Sequence, residues 1–223
     1  MSVDLAGRSD GDLAALALVD RDRAFPVLMR RYETRIFRLI RSHVGNSAEA
    51  LDLVQETFVA AWLALKTYDP ARPFGSWLAR IAINKARDWG RRRTVRRFFT
   101  FAAPMDGIVL DIADDVVAAD DALADRQRLA AVARSIPQLP AAIKEPLILC
   151  AIDGLSQAEA ASVLGISEKA VETRIRRARA RLAEILGDCC GRGRKDAYNR
   201  AGRRGWRVGD RVDDGRRMLT RQC

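Results

Sequence analysis

An all-α chain of two small helical modules joined by a flexible linker is the fold class this sequence predicts, and three observations carry it. Apolar residues recur at three- and four-residue spacing through most of the 223 residues. Alternation of the strand type is nearly absent. Helix-stopping residues (Gly45, Pro70, Pro73, Gly154, Gly165) fall between the periodic segments rather than inside them. Hydrophobic residues make up 48% and charged residues 30%, a composition of globular and not of disordered chains. No apolar stretch, Pro146 to Ile152 included, approaches the roughly 18 residues a bilayer span requires. No basic segment followed by an apolar run opens the chain, so no secretory signal is expected and the cytoplasm is the default compartment.

The elements follow in order. Asp10 to Asp20 is rich in Ala and Leu and reads as a short helix. Arg23 to Val44 carries one apolar stripe, Phe25, Leu28, Tyr32, Ile36, Leu39 and Ile40, and Gly45 stops it. His43, near that end, suits a C-terminal cap. A second helix begins at Asn46 or Ser47, where Asn46 and Glu49 have capping-box spacing, and runs to Lys66. Its expected buried stripe is Leu51, Val54, Phe58, Trp62 and Leu65. Pro70 and Pro73 exclude a helix from Thr67 to Pro73. A third helix, Phe74 to Arg97, buries Phe74, Trp77, Leu78, Ile81 and Trp89 and runs into Arg91, Arg92, Arg93, Arg96 and Arg97.

Composition then changes. Residues 98 to 124 contain Pro104, Gly107 and a run of aspartates including Asp106, Asp111, Asp114, Asp115, Asp120 and Asp121, the pattern of an acidic linker. Helical spacing resumes near Asp125 with Leu129, Val132 and Ile136. It continues from Ile143 to Ile152 and stops at Asp153-Gly154. Ser156 with Glu159 caps a short helix, Gly165-Ile166-Ser167 forms a turn, and Glu168 to Leu186 forms a longer helix. From Gly187 onward Gly and Arg dominate without apolar periodicity, so a disordered basic tail is expected. Residues 191–223 hold eleven Lys/Arg against four Asp, a large share of the overall charge of +10. A balance this basic points to an anionic partner, nucleic acid first.

Chemistry of the catalytic kind is not visible. There is no Gly-rich phosphate loop and no paired nucleophile and base. Four cysteines (Cys150, Cys189, Cys190, Cys223) and one histidine do not supply zinc-ligand spacing. Cys150 reads as a small buried hydrophobe, and Cys189 and Cys190 as incidental thiols. No catalytic residue, metal or cofactor is therefore expected, and the chain is not expected to be an enzyme.

Binding features are plain by contrast. Leu155 to Leu186 has the form helix, three-residue turn, longer helix. Ser167 caps the second helix, and Val171, Ile175, Ala178 and Leu182 face inward. Ser167, Lys169, Glu172, Thr173, Arg176 and Arg177 are left outward, as side chains entering a major groove must be. Upstream, Asp52, Gln55 and Glu56 lie at i, i+3, i+4 and project from one face, suited to docking on a basic protein surface. Aromatic and basic groups then interleave from Tyr68 to the arginine cluster, as in sites that hold single-stranded DNA.

Taken together, Asp52 to Trp62 (DLVQETFVAAW) and Tyr68 to Arg93 resemble region two of the sigma-70 superfamily. Leu139 to Leu186 resembles its region four. A short linker with no third module between them is similar to the extracytoplasmic-function (ECF) subgroup. The resemblance implies region two at 10–98, an acidic linker at 99–125, region four at 126–187 and an added basic tail at 188–223. It implies core RNA polymerase and promoter DNA, both duplex and melted strand, as partners, together with an anti-sigma factor and no membrane insertion. Asp52, Gln55 and Glu56 would grip polymerase. Lys66, Thr67, Tyr68, Arg72, Asn84, Lys85, Asp88, Arg91, Arg92 and Arg93 would hold the minus-ten element. Ser167, Lys169, Glu172, Thr173, Arg176 and Arg177 would read the minus-thirty-five element. The aspartates of the linker would mimic phosphates in a polymerase channel. The alternative is a helix-turn-helix regulator that acts without docking on polymerase.

Overall fold

The structure, a computed structural model, describes the backbone of residues 5–99 and 120–201, and the side chains of 5–96 and 126–187. Among these residues it is all helical: α1 (Asp10–Val19), α2 (Arg21–Val44), α3 (Ser47–Ala64), a 3-10 turn (Leu65–Thr67), α4 (Phe74–Phe99), α5 (Asp120–Ser135), a second 3-10 turn (Ile136–Gln138), α6 (Ala141–Ala151), α7 (Gln157–Leu164) and α8 (Glu168–Ala201).

Local chemistry sets the boundaries. Ser9 caps α1 by accepting from the Asp12 N–H at 3.1 Å. Gly45 takes a left-handed conformation (φ 80°), and its N–H closes α2 on the Arg41 carbonyl. Asn46 then caps α3 through the Glu49 N–H at 3.0 Å. The stripe from Phe25 to Ile40 is buried as its spacing requires, and it packs α2 against α1, α3 and α4. Phe25 meets Trp62 edge-on, with ring centroids 4.9 Å apart. Tyr32, Tyr68, Phe74 and Trp77 form a second aromatic cluster with centroids 5.2 to 5.4 Å apart. Such pairs contribute about 0.5–1.5 kcal/mol each beyond area burial.

The second module forms around Val171, Ile175, Ala178 and Leu182, all buried. Ser156 and Glu159 make a reciprocal capping box at the start of α7, and Gly165 ends it with φ 68°. The two modules do not stand apart: α2 packs on α6 and on the Ile136–Gln138 turn, and α4 packs on α7. Buried residues of both modules form one continuous cluster.

Several expectations change. The linker does not extend to residue 125, because α5 already begins at Asp120, and Trp77 and Ile81 are only partly covered. Leu51 is 54% exposed; the buried stripe of α3 is Leu53, Val54, Thr57, Phe58 and Ala61, with Trp62 only partly covered. Leu129 is likewise exposed. His43 is not a cap: Gly45 closes the helix, and the imidazole is buried. Cys150 is half-buried. The fourth helix of the second module does not stop at Leu186 but continues to Ala201. Residues 188–201 contain no proline, and Gly191 and Gly193 cost a helix only about 1 kcal/mol each, against flanking Arg, Lys and Ala that favour it. Residues 202–223, and the linker aspartates Asp106, Asp111, Asp114 and Asp115, lie outside the described residues.

Candidate nucleic-acid interface

The helix-turn-helix comes out as its spacing predicts. The Ser167 hydroxyl accepts from the Ala170 N–H at 3.2 Å, fixing the entry to α8. Lys169, Glu172, Arg176 and Arg177 are exposed and Thr173 is half-exposed, in one row away from the core. Lys169 Nζ lies 2.8 Å from a Glu172 carboxylate oxygen, and this ion pair holds the Glu172 carboxyl below its usual range. The row offers guanidinium and ammonium donors at the N-terminal end of a helix, where a major groove is read.

The loop between α3 and α4 is stiff. The Thr67 hydroxyl donates to the Ala64 carbonyl at 2.7 Å, the Tyr68 hydroxyl to the Arg72 carbonyl at 2.8 Å, and the Ala71 N–H to Asp69 Oδ1 at 3.0 Å. Lys66, Thr67 and Arg72 point to solvent from this frame. Tyr68 is half-buried and its ring is engaged by Phe74 and Trp77.

On α4, Asn84, Arg91 and Arg92 are exposed, while Lys85, Asp88 and Arg93 are half-buried. These side chains are already partnered. Arg91 pairs with Asp88, and Arg93 lies over the Trp89 ring at 5.1 Å. Trp89 donates its indole N–H to Glu49 at 2.6 Å. Asp52 and Gln55 of the acidic triplet are open, but Glu56 lies 3.6 Å from Lys85 Nζ and 3.7 Å from Arg92 Nη2. The triplet and the basic helix, separate expectations in the sequence, are thus joined through Glu56. Leu51, Val59 and Leu63 are also exposed, on the row of four-residue spacing that Gln55 shares.

Sequence reasoning missed a charged cluster where the modules meet. Arg87 on α4 grips Glu145 on α6 with two bonds, Nε at 2.8 Å and Nη2 at 2.5 Å. Arg35 on α2 grips Asp153 in the same way, at 2.6 and 2.9 Å. Lys144 Nζ donates to the His43 carbonyl at 2.8 Å and the Pro137 carbonyl at 3.2 Å. Glu145 is 2% exposed. Burial would raise its carboxyl pKa, but the two hydrogen bonds from Arg87, with the His43 ring nearby, hold it below the usual range. Burial lowers Lys144 to about 8 and pushes His43 below its ordinary value. The His43 Nε2 to Glu145 contact is 3.5 Å, too loose to satisfy the ring. One signal for this cluster was available: Lys144 and Glu145 interrupt an apolar run, and buried charges require partners. No group of metal-ligating side chains is found among the described residues.

Two family models match the chain, Sigma-70 region 2 over residues 28–96 and Sigma-70, region 4 over residues 129–182. The RNA polymerase sigma factor CnrH of Cupriavidus metallidurans is 43% identical over 180 residues, covering 80% of this chain and 94% of that protein. The ECF RNA polymerase sigma factor SigW of Bacillus subtilis is 31% identical over 172 residues, covering 76% and 91%. The solved structure of CnrH in complex with the cytosolic domain of CnrY is 39% identical with a TM-score of 0.59, covering 81% of this chain and 99% of that one.

Proposed function

The chain belongs to the sigma-70 family of RNA polymerase sigma factors, in its ECF branch, and from that premise we propose how its surfaces divide the work of promoter recognition. It is a sigma factor that binds core RNA polymerase, recognises the minus-thirty-five and minus-ten elements and promotes melting for initiation. Residues 10–98 act as region two and 126–187 as region four. Asp52, Gln55 and Glu56 dock on polymerase, the exposed pair forming first contact and Glu56 exchanging its lysine and arginine partners for polymerase groups. Lys66, Thr67, Tyr68 and Arg72 frame the base-capturing loop. Asn84, Lys85, Asp88, Arg91, Arg92 and Arg93 lie along the minus-ten strand. Ser167, Lys169, Glu172, Thr173, Arg176 and Arg177 read the minus-thirty-five duplex.

The observation that carries this reading is the pair of outward rows rich in Arg and Lys, on α4 and α8, with an acidic triplet beside the first. A stand-alone regulator gives that triplet no role. Opening the strands draws on captured bases and phosphate contacts, so the chain itself performs no catalysis and works where polymerase works, in the cytoplasm. No described helix is long and apolar enough to cross a membrane. CnrH is seen with the cytosolic domain of CnrY, which supports a protein partner here too, and we assign it as an anti-sigma factor. Run-off transcription with purified bacterial core polymerase tests the reading. Transcripts that require this chain and share two spaced upstream elements are expected. DNA binding without core association or new start sites would overturn it.

A further inference from the structure

We infer that Asp10 and Tyr32 are positioning residues of the base-capturing loop: the Asp10 carboxylate on α1 fixes the Tyr32 hydroxyl on α2, and the Tyr32 ring carries that anchorage through Phe74 to Tyr68. This rests on the sigma reading above and adds to it two residues that lie outside the loop.

The anchor begins ahead of the residues that the Sigma-70 region 2 model matches, which start at residue 28. Asp10 is the first residue of α1. One of its carboxylate oxygens accepts from the Tyr32 hydroxyl and the other from Arg31 Nη1. Arg31 Nη2 also donates to the Ala6 and Arg8 carbonyls, at 3.0 and 3.1 Å, which ties the entry of α1 to α2. Leu13, Ala14 and Ala17 are buried, and α1 packs on α2 and on the Leu65–Thr67 turn that opens the loop. Asp10 therefore holds Tyr32 from a fixed place.

From Tyr32 the contact passes ring by ring. Its centroid lies 5.4 Å from that of Phe74, and Phe74 lies 5.2 Å from both Tyr68 and Trp77. Gly75 lets the first turn of α4 close onto the tyrosine, since a Cβ there would stand only 3.0 Å from Tyr32 Cε1. A buried tyrosine needs a partner for its hydroxyl, and a ring held at its tip as well as its face keeps one orientation. Burial, and then the hydrogen bond to Asp10, raise the Tyr32 pKa above its ordinary value, so the hydroxyl remains a donor. Burial raises Tyr68 as well, and the Asp10 charge adds to it, which puts that carboxylate within electrostatic reach of the loop itself.

The loop needs such an anchor. A site that captures a base must be held to within about 0.5 Å, while Lys66, Thr67 and Arg72 stay turned to solvent. The loop's own bonds brace it within itself and onto the end of α3. The ring stack braces it onto α2 and α4, and Asp10 ends the stack with a charged acceptor, stronger than a neutral one.

The test uses the full chain, free and as holoenzyme with bacterial core polymerase. Tyr32→Phe removes only the hydroxyl and keeps the ring and the Arg31–Asp10 pair. Asp10→Ala removes the acceptor, and Asp10→Asn keeps an acceptor of the same size. In the free chain, hydrogen exchange is followed at the Tyr68, Ala71 and Arg72 amides, which donate to the Leu65 carbonyl, Asp69 Oδ1 and the Asp69 carbonyl. In the holoenzyme, 2-aminopurine in the minus-ten element of a promoter found by run-off transcription separates closed-complex affinity from the rate of strand opening. Tyr32→Phe and Asp10→Ala are each expected to speed exchange at these amides and to slow opening about tenfold, the factor one hydrogen bond to a charged group supports, with closed-complex affinity unchanged. Asp10→Asn is expected to restore most of both. Exchange at the parent's rate in both Tyr32→Phe and Asp10→Ala overturns the inference. Equal losses of affinity and opening rate also overturn it, because they mark a general loss of structure. If no transcript depends on the parent chain, the sigma reading falls, and exchange at these amides alone decides whether Asp10 and Tyr32 hold the loop.

Discussion

The two rows of outward polar side chains, on α4 and on α8, differ in who holds them. On α8 the row is prepared locally: a capping box, a left-handed glycine, a serine cap and apolar residues four apart aim it outward, with Lys169–Glu172 as an internal pair. On α4 Asp88–Arg91 is likewise an internal pair, but other elements hold the residues around it. Glu56 of α3 engages Lys85 and Arg92, and Glu145 of α6 engages Arg87. The row on α8 is thus set by its own helix and the turn before it, whereas the row on α4 depends on how neighbouring helices dock.

That contrast can be broken most severely under the loop. Phe74 is fully buried beneath Tyr68 and Trp77, so Phe74→Ala is expected to cost about 3–5 kcal/mol in urea unfolding. Transcription from the minus-ten element should be lost with it. If stability falls by less than about 1 kcal/mol, the loop is not held by the cluster below it. A milder break is Arg176→Ala, which should weaken binding to a minus-thirty-five duplex about 10- to 100-fold while leaving unfolding unchanged. An equal loss on random duplex would mean that Arg176 contacts only phosphate. Smaller again is Ser156→Ala, which removes one side of the capping box and should cost about 1 kcal/mol of stability. A larger loss would show that the start of α7 is held by more than its cap.

A change of pH separates the contribution of His43 from that of Glu145. His43 has its pKa lowered chiefly by burial. The unfolded chain therefore takes up a proton near pH 6.5, where the folded chain does not. Stability is full above that pH and declines as pH falls below it. Glu145, depressed by its partners, loses its contribution only as pH falls further, below the ordinary carboxylate range. A lower urea midpoint at pH 5.5 than at pH 7.5, flattened by His43→Asn, is expected. An identical decline in the variant would assign it elsewhere.

The same division decides what could be read from sequence. Helix order, the α3–α4 loop, the helix-turn-helix and its inward residues follow from spacing, caps and glycines, which act over three to seven residues. The outward residues of α8 were legible for the same reason. The partners of Arg87, Arg35 and Glu56 were not, because each lies on another element and the pairing depends on how helices dock. Leu51 was placed inward because a stripe at three- and four-residue spacing does not say which of two adjacent rows meets the neighbouring helix; Leu53 took that place. His43 looked like a cap because it precedes Gly45, and only α6 arriving above it makes it a buried ring.

The sequence separation within these ion pairs also bears on the order of synthesis. Arg87 precedes Glu145 by 58 residues, and Arg35 precedes Asp153 by 118. At about 5–20 residues per second, a ribosome makes the first partner of the nearer pair roughly 3–12 s before the second. From the addition of Phe99 until that of Glu145, α1 to α4 have all been synthesised while the side chains that cover them do not yet exist. A newborn molecule thus passes through a stage in which the faces of α2 and α4 that carry Arg35 and Arg87 are bare, and anything that meets them unopposed meets them first on the translating ribosome.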